Sequence, residues 1–230
     1  MRNRDIPELD AVDKAFVRGL VCFEDEVLLA FNKPSGLPVQ TRGSHGRHLD
    51  GLLWAFARSN GKRPRLVHQL DAGTSGLILA AKTKPAAAFL SKAFEDREVS
   101  KTYLAIVRGD LPDARSGRVE QALLRSGRGV AVSNAAAAKP AQTDWAVLSR
   151  SGNTALIEAR PRTGRLHQIR AHMASLGCPI DGDTLYGGAD APRLMLHASK
   201  LNLPHPGGER LQLEAPAPEA FQDWRTRLGL

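Results

Sequence analysis

Apolar residues occur along this chain in two patterns, short consecutive runs and positions three or four residues apart. The short runs predict strands. Short runs rich in Val, Ile, Leu and aromatic residues, bounded by Gly, Pro, Asn or Ser, are typical of β-strands. Such runs cover residues 27–31, 77–81, 101–107 and 194–203. Two more, at residues 145–148 and 154–159, flank the sequence SGN, which predicts a β-hairpin. We therefore expect a sheet whose neighbouring strands are often joined by hairpins.

The second pattern, with apolar residues three or four apart, predicts helices. These cover residues 49–58, 85–97, 165–176 and 217–228. Residues 1–18 are mostly polar and are expected to form a loose lead-in, and the glycines of residues 41–48 predict a flexible loop. Residues 19–230 are predicted to be a single α+β domain with a mixed, mainly antiparallel β-sheet and flanking helices and loops.

The composition is that of a folded, basic protein. At 230 residues the chain can bury a sizeable core, and 42% hydrophobic with 24% charged residues argues against disorder. Lys and Arg number 32 against 24 Asp and Glu, and the formal charge of +8 favours polyanionic partners such as nucleic acid. Cys22 and Cys178 match no metal or redox spacing, and no apolar run is long enough to span a membrane. We expect a cytoplasmic protein with reduced cysteines.

Much of the positive charge lies in two stretches that contain no acid, residues 51–70 and residues 159–180. The first holds Arg58, Lys62, Arg63 and Arg65, and the second holds Arg160, Arg162, Arg165 and Arg170. Clusters of this kind suit contacts with phosphates, although chance clustering on a solvated face is the alternative.

The first basic stretch runs into the sequence HQLDAGTSG at residues 68–76, which places Asp71 just before a buried strand. A carboxylate at the rim of such a strand is costly unless it is paired. Asp71 is therefore either a structural turn residue or a reactive group.

The predicted helix at residues 165–176 offers Asp71 a partner. At about 100° per residue, four apolar residues share one stripe and three polar residues lie along its flank. The stripe is Leu166, Ile169, Met173 and Leu176, and the flank is Arg165, Gln168 and His172. Arg165 in the first turn would be repelled by the positive end of the helix, and Asp71 is the natural carboxylate to relieve that repulsion. His167 and His172 have no Glu in the zinc-binding arrangement between them, so no metal site is expected.

Four motifs in this order resemble the RluA-type RNA pseudouridine synthase family. They are the Asp71 motif, KTYLA at residues 101–105, RTGRLHQIR at residues 162–170 and GCPIDGD at residues 177–183. The resemblance extends from NKPSGL at residues 32–37 to LHA at residues 196–198. It implies the pseudouridine synthase fold and an isomerase that converts uridine to pseudouridine in RNA without a cofactor.

The resemblance also implies roles for single residues. Asp71 corresponds to the essential carboxylate, which attacks either the sugar or the base. Tyr103 resembles the tyrosine that stacks on the target base and assists proton removal, and Arg165 resembles the arginine that pairs with the aspartate. Residues expected to bind the substrate are His68, Gln69, Thr74, Leu77, Gln168, Ile169, Arg162 and Arg170. The expected partner is a stem-loop of tRNA or rRNA. We expect the protein to be a monomer that associates with no membrane and uses no small-molecule cofactor.

Several of these assignments have plainer alternatives. Leu77 and Ile169 suit core packing, Tyr103 suits ordinary strand packing, and His68 suits support of the Asp71 loop rather than titration in catalysis.

The chain departs from the family pattern beside Asp71. Gln69 and Ala72 stand where arginines are usual, so the side chain that would fill the gap left by an everted base carries no charge. The small RNA-binding S4 module of the family is not expected either. These departures keep open a non-catalytic RNA-binding or RNA-folding protein on the same scaffold. A glycosidase that uses Asp71 is a third hypothesis, which lacks an evident second acid.

Overall fold

The computed structural model describes residues 9–40, 47–110 and 112–230. In these ranges ten strands form one large sheet and two more form a separate hairpin. The large sheet contains β1 (Val21–Glu24), β2 (Leu28–Lys33), β3 (Arg65–Leu66), β4 (Ser75–Ala81), β5 (Ser100–Arg108), β6 (Ser116–Val119), β9 (Thr143–Ser151), β10 (Thr154–Pro161), β11 (Leu196–Pro204) and β12 (Arg210–Glu214). The hairpin pairs β7 (Leu123–Ser126) with β8 (Gly129–Val132).

The strand order across the large sheet is β1-β2-β4-β11-β5-β10-β9-β6, with β12 paired to β11 and β3 to β4. Strands β4 and β11 are parallel, and the other pairs are antiparallel. The hairpin predicted around residues 151–153 is the β9–β10 pair. The predicted mixed, mainly antiparallel sheet is confirmed.

Five α-helices and one 3-10 helix occur in the described residues. They are α1 (Ala11–Gly19), α2 (Leu49–Leu52), the 3-10 helix (Leu53–Phe56), α3 (Lys84–Glu95), α4 (Gln168–Ser175) and α5 (Glu219–Arg227). Helix α3 begins as its sequence predicts, because Thr83 caps it by accepting a hydrogen bond from the Ala86 amide and Pro85 lies in its first turn.

Strand β4 connects two layers of the core, since all of its residues are buried. Leu77 packs with Leu90 of α3 in one cluster, and Ile78 packs with Leu53 of the 3-10 helix in another. Successive side chains of a strand point to opposite faces, so this apolar run anchors helices on both sides of the sheet. The residues just before β4, which include Asp71, therefore start from a rigid support.

Two predicted segments differ from the structure. The prediction of a loose lead-in is wrong for residues 11–18, because these residues belong to α1. Asp10 caps α1 by accepting a hydrogen bond from the Asp13 amide, and Val17 is fully buried against the sheet. A polar helix with one buried stripe leaves little apolar signal, which explains the missed prediction. Residues 41–46 of the predicted flexible loop lie outside the described residues.

Helix α4 begins at Gln168, three residues later than predicted. His167 has a left-handed backbone with φ 49°, and a right-handed helix cannot extend through such a residue. Leu166 consequently lies outside the helix and is 40% exposed, whereas Ile169 and Met173 of the predicted stripe are buried.

Candidate active site

Asp71 lies in the loop that connects β3 to β4. Leu70 anchors the loop in the core, and the Thr74 amide donates to the Asp71 carbonyl at 3.1 Å, which closes a turn. The Asp71 side chain is 23% exposed, so its carboxylate remains accessible. The local sequence thus presents one acid at the start of a buried strand, as the pattern predicts.

A second loop, residues 33–37, holds the Asp71 loop in place. The ammonium group of Lys33 is fully buried and donates to the carbonyls of Pro34 at 3.0 Å, Leu37 at 2.9 Å and Ala72 at 3.1 Å. The Gly36 amide donates to the same Ala72 carbonyl at 2.8 Å. Burial, reinforced by the charge of Arg193 and opposed by that of Asp71, lowers the pKa of Lys33 to about 8. The backbone beside Asp71 is therefore tied directly to β2.

Arg170 of α4 is the ion-pair partner of Asp71. Its Nη1 lies 3.3 Å from Asp71 Oδ2, while its Nε and Nη2 bind both oxygens of Asp183 at 2.7 and 2.8 Å. The Asp183 side chain is fully buried and that of Arg170 is 12% exposed. The two acids together raise the pKa of Arg170, although burial opposes them as the largest single effect. The guanidinium is thus fixed by one carboxylate and presents its remaining nitrogen to the other.

The predicted pairing of Asp71 with Arg165 is wrong in this structure. Arg165 precedes α4 and donates from Nε to the Pro140 carbonyl at 3.2 Å. Because α4 starts at Gln168, the residue that projects from its first turn toward Asp71 is Arg170. Arg170 was expected only to bind the substrate, and its partner depended on where the helix begins.

His167 is a further neighbour of Asp71, with Nε2 3.7 Å from Oδ1. Its Nδ1 lies 3.2 Å from the Tyr186 hydroxyl, which accepts a hydrogen bond from the Val130 amide at 2.9 Å. The hydroxyl proton is therefore available to Nδ1, and in the tautomer that accepts it the imidazole proton is on Nε2, facing the carboxylate. Burial lowers the pKa of His167, and the charge of Asp71 opposes this effect.

A cavity of about 400 Å³ opens at Asp71. Tyr103 and Ile169 supply apolar surface, Arg170 and His167 lie beside Asp71, and the loop at residues 161–165 forms part of the lining. This volume lies in the range of sites for small organic groups, and a single nucleobase is such a group.

The Tyr103 phenol borders this cavity and has a raised pKa, first because it is buried and second because Asp71 is nearby. The phenol is therefore neutral at physiological pH. A neutral ring suits stacking on a base better than it suits removal of a proton.

His68 has a structural environment, as expected. Its Nε2 accepts a hydrogen bond from the Leu79 amide at 3.0 Å, and its ring stacks on Phe94 with centroids 4.5 Å apart. Burial, reinforced by the charge of Lys101, lowers the pKa of His68 to about 3. The ring is therefore neutral at physiological pH and joins the cavity wall to β4.

Of the other predicted substrate-binding residues, five line the cavity and one, Leu77, does not. Thr74, Gln168, Ile169, Arg162 and Gln69 line the cavity. Leu77 is fully buried with α3 in the core, so its assignment to the base pocket is wrong. Gln69 donates to Gln40 at 3.0 Å, and both line a second cavity that also borders Asp71. Gln168 is buried in a hydrogen-bond network with Thr163.

Cations of the two acid-free stretches form ion pairs with acids from other parts of the chain. Arg63 pairs with Asp50 at 2.8 Å, and Arg162 pairs with Asp144 at 2.7 Å. The charge of each stretch is consequently reduced by residues outside that stretch. Its net contribution to an RNA-binding surface is smaller than the sequence suggests.

Several residues that organise the site carried no assigned role in the sequence. Lys33 and Asp183 lie within the quoted motifs NKPSGL and GCPIDGD, which was the available signal. Tyr186 gave no such signal, because its contacts with His167 and the β7–β8 hairpin arise only in the folded chain.

Helices long and apolar enough to cross a bilayer are absent from the described part of the chain. The same residues contain no cluster of three or more metal-binding side chains. His172 instead has both ring nitrogens hydrogen-bonded within the core, to Thr143 and to the Gln121 carbonyl.

Comparison with known proteins gives one consistent family. The family model described as RNA pseudouridylate synthase matches residues 27–175. The dual-specificity RNA pseudouridine synthase RluA of Escherichia coli K12 is 37% identical over 209 residues, which cover 86% of this chain and 93% of the relative. The ribosomal large subunit pseudouridine synthase D of Zymomonas mobilis is 36% identical, with coverage of 88% of this chain and 70% of the relative.

Solved structures agree with this result. Human RNA pseudouridylate synthase domain containing 4 superposes with a TM-score of 0.82 at 26% identity, and covers 95% of this chain and 97% of that one. Human RNA pseudouridylate synthase domain containing 1 gives a TM-score of 0.73 at 27% identity, with coverage of 95% of this chain and 87% of that one. The pseudouridine synthase fold implied by the four motifs is confirmed, and the chain belongs to the RNA pseudouridylate synthase family.

Proposed function

We propose that this enzyme converts uridine to pseudouridine in stem-loops of tRNA, rRNA or both, with Asp71 as the nucleophile. The observation that carries the proposal is one accessible carboxylate, bound by Arg170 and facing a cavity of about 400 Å³ that is bordered by Tyr103. The names of the relatives, a dual-specificity synthase and a large-subunit synthase, support these two classes of RNA.

The isomerisation exchanges one bond to the sugar for another. The bond from C1′ to N1 of uracil breaks, the base rotates, and a bond from C1′ to C5 forms. C5 loses a proton and N1 gains one, so atoms balance and no electrons are transferred to an outside acceptor. The Asp71 carboxylate attacks either C1′ of the sugar or C6 of the base.

The surrounding residues have distinct proposed roles. Arg170 orients the Asp71 carboxylate and is itself held by Asp183. Tyr103, as a neutral phenol, stacks on the everted uracil. Eversion costs a few kcal/mol, which contacts in the cavity and with the RNA backbone offset.

Chemical mapping of pseudouridine tests this proposal directly. The purified protein is incubated with unmodified tRNA and rRNA transcripts, beside Asp71→Asn and the control Asp223→Asn, which changes an exposed acid on α5. We expect product from the wild type and from Asp223→Asn, and none from Asp71→Asn, because the amide is a far weaker nucleophile than the carboxylate.

Two results would contradict the proposal. Product from Asp71→Asn at the wild-type rate would remove the nucleophile assignment. RNA binding without product from any of the proteins would favour the non-catalytic RNA-binding alternative.

We further propose that residues 19–230, together with helix α1, which packs on the sheet, act as one catalytic domain in a cytoplasmic monomer. The continuous sheet from β1 to β6 supports a single domain, and free thiols at Cys22 and Cys178 suit a reducing compartment. Light scattering at the concentration of the activity assay tests the monomer.

A further inference from the structure

Backbone strain in the described residues is concentrated at the Asp71 cavity. Two residues other than glycine have a positive φ there, Arg97 at 62° and His167 at 49°, and both line this cavity. Side chains with a Cβ are disfavoured in this conformation, and such residues cluster at functional sites. His167 contacts the site through Asp71, but Arg97 has no role in the mechanism above.

Arg97 occupies the position at the end of α3 that most favours glycine. The Arg97 amide donates to the Phe94 carbonyl at 3.3 Å, and the Glu98 amide donates to the Ala93 carbonyl at 2.9 Å. This pair of bonds is the Schellman arrangement, in which the left-handed residue is usually Gly because Gly has no Cβ. An arginine therefore destabilises the end of this helix relative to glycine.

Within the described residues, no contact of the Arg97 side chain offsets this cost. Among the residues described, none receives a hydrogen bond or an ion pair from its guanidinium, and the residue is exposed. Other arginines of the cavity are engaged: Arg162 with Asp144, Arg165 with the Pro140 carbonyl, and Arg170 with Asp71 and Asp183. Arg97 is thus a cation held at the cavity, with no partner in the described part of the chain.

Its neighbours define the local charge. Lys101 lies close enough for Arg97 to lower its pKa, although burial is the larger cause, and Lys101 donates to the Thr163 carbonyl at 3.4 Å. Asp96 is occupied by Lys92 at 2.8 Å. Glu95 lines the same cavity and Glu98 is exposed next to Arg97, so the local field is not generally positive. An anion at this position must therefore contact the Arg97 guanidinium directly.

We infer that Arg97 binds a backbone phosphate of the substrate RNA at the rim of the Asp71 cavity. This inference rests on the proposed use of that cavity as the active site. A guanidinium suits a phosphate through two parallel hydrogen bonds, and a backbone held in one conformation limits the positions that the side chain can reach. Arg97 is accordingly a binding residue that positions the strand beside the everted nucleotide.

The decisive variant is Arg97→Gly, because it removes the guanidinium and the strain together. We expect the KM for an RNA transcript that the wild type modifies to rise about fivefold, with kcat within about twofold. The slope of log affinity against log salt should become less steep by about 0.7 to 0.9. The Tm should stay constant or rise by about 2 to 4 °C, since glycine is favoured at this helix end.

Two control variants separate charge from backbone. Lys84→Gln removes one exposed cation at the other end of α3 and should leave KM and the salt slope unchanged. Arg97→Lys keeps the charge on a left-handed residue and should retain most of the salt slope.

The inference fails if Arg97→Gly keeps the wild-type KM and salt slope while Asp71→Asn is inactive. Activity in Asp71→Asn would instead overturn the proposed active site, so the two failures are distinguishable. A fall in Tm of Arg97→Gly together with a fall in kcat would show that Arg97 is structural, which also overturns the inference.

Discussion

Arg170 shares one guanidinium between two carboxylates of different exposure. Asp183 is fully buried and binds it through two hydrogen bonds, whereas Asp71 is 23% exposed and binds it through one longer contact. The guanidinium also lies over the Tyr186 ring, 5.1 Å from its centroid. The buried pair therefore fixes the arginine, and the exposed pair uses that fixed position to orient the proposed nucleophile.

Substitutions of Arg170 and Arg165 should have very different effects. Arg170→Ala leaves Asp183 buried without its cation, and we expect the free energy of unfolding to fall by about 3 to 5 kcal/mol. Arg170→Lys keeps the charge but not the two-pronged geometry, so kcat should fall by about 100-fold in a protein that still folds. Arg165→Ala should change stability by less than about 1 kcal/mol, because its Nε binds a single carbonyl.

Urea unfolding and steady-state kinetics on an RNA transcript measure both effects. A loss of kcat in Arg165→Ala as large as that in Arg170→Lys would contradict the assignment of Arg170 as the partner of Asp71.

Among the elements, β4 connects the Asp71 loop to the rest of the sheet. It pairs with β2 on one side and with β11 on the other, where His197 is opposite Ser75 and Ala198 opposite Gly76. Gly76 has a φ of 111°, and a Cβ there would lie 2.2 Å from the Ala198 carbonyl oxygen. The close approach of the two backbones is possible because residue 76 has no side chain.

Gly76→Ala should therefore be far more damaging than Gly152→Ala, at a glycine of positive φ that has open space around it. Gly152, in the β9–β10 turn, has a φ of 56°, and a Cβ added there would have no atom within 4 Å. We expect Gly152→Ala to cost about 1 kcal/mol from the backbone alone, and Gly76→Ala to cost about 3 kcal/mol or more because β4 and β11 must separate. Chemical denaturation of both variants gives the comparison, and equal losses would show that the β4–β11 approach is not tight.

For the molecule as a whole, neutral histidines that are buried or half-buried link stability to pH. Burial is the first cause of a lowered pKa at His68, His172 and His197. His197 accepts at Nδ1 from the Ser75 hydroxyl and donates from Nε2 to the Ala215 carbonyl, a pattern that fits the neutral ring. In the unfolded chain each imidazole has a pKa of about 6.5.

The sign of the pH dependence follows from these shifts. Below about pH 6.5 the unfolded chain binds protons that the folded chain does not, so the free energy of unfolding falls as pH falls. For His68, whose folded pKa is about 3, the loss continues throughout the range from about pH 6.5 to 3. Each such group contributes a slope of up to about 1.4 kcal/mol per pH unit.

Urea titrations at pH 7, 6 and 5 test this expectation, with His68→Gln as the comparison because an amide oxygen can still accept the Leu79 hydrogen bond. The variant should lose stability less steeply between pH 6 and 5 than the wild type. Parallel slopes for the two proteins would contradict the assignment of a half-buried, neutral His68.

The main strands, four of the five α-helices in the described residues, the Asp71 motif and the family could all be predicted from the linear sequence. The predicted runs at residues 77–81 and 101–107 lie within β4 and β5. Local patterns suffice for these features, because strand periodicity, capping and turn residues act over a few positions.

The groups that surround Asp71 could be identified only in the folded chain. Arg170 and Asp71 are 99 residues apart, and Lys33 reaches the Ala72 carbonyl across 39 residues. Which arginine pairs with Asp71 depended on the left-handed His167, which sets the start of α4. The sequence also could not show that Arg97 has no partner among the described residues while the other arginines of the cavity do. Ion pairs and buried hydrogen bonds form between groups that are close in space. For residues far apart in the sequence, those distances are set only when the strands of the sheet pair, so a linear pattern cannot predict them.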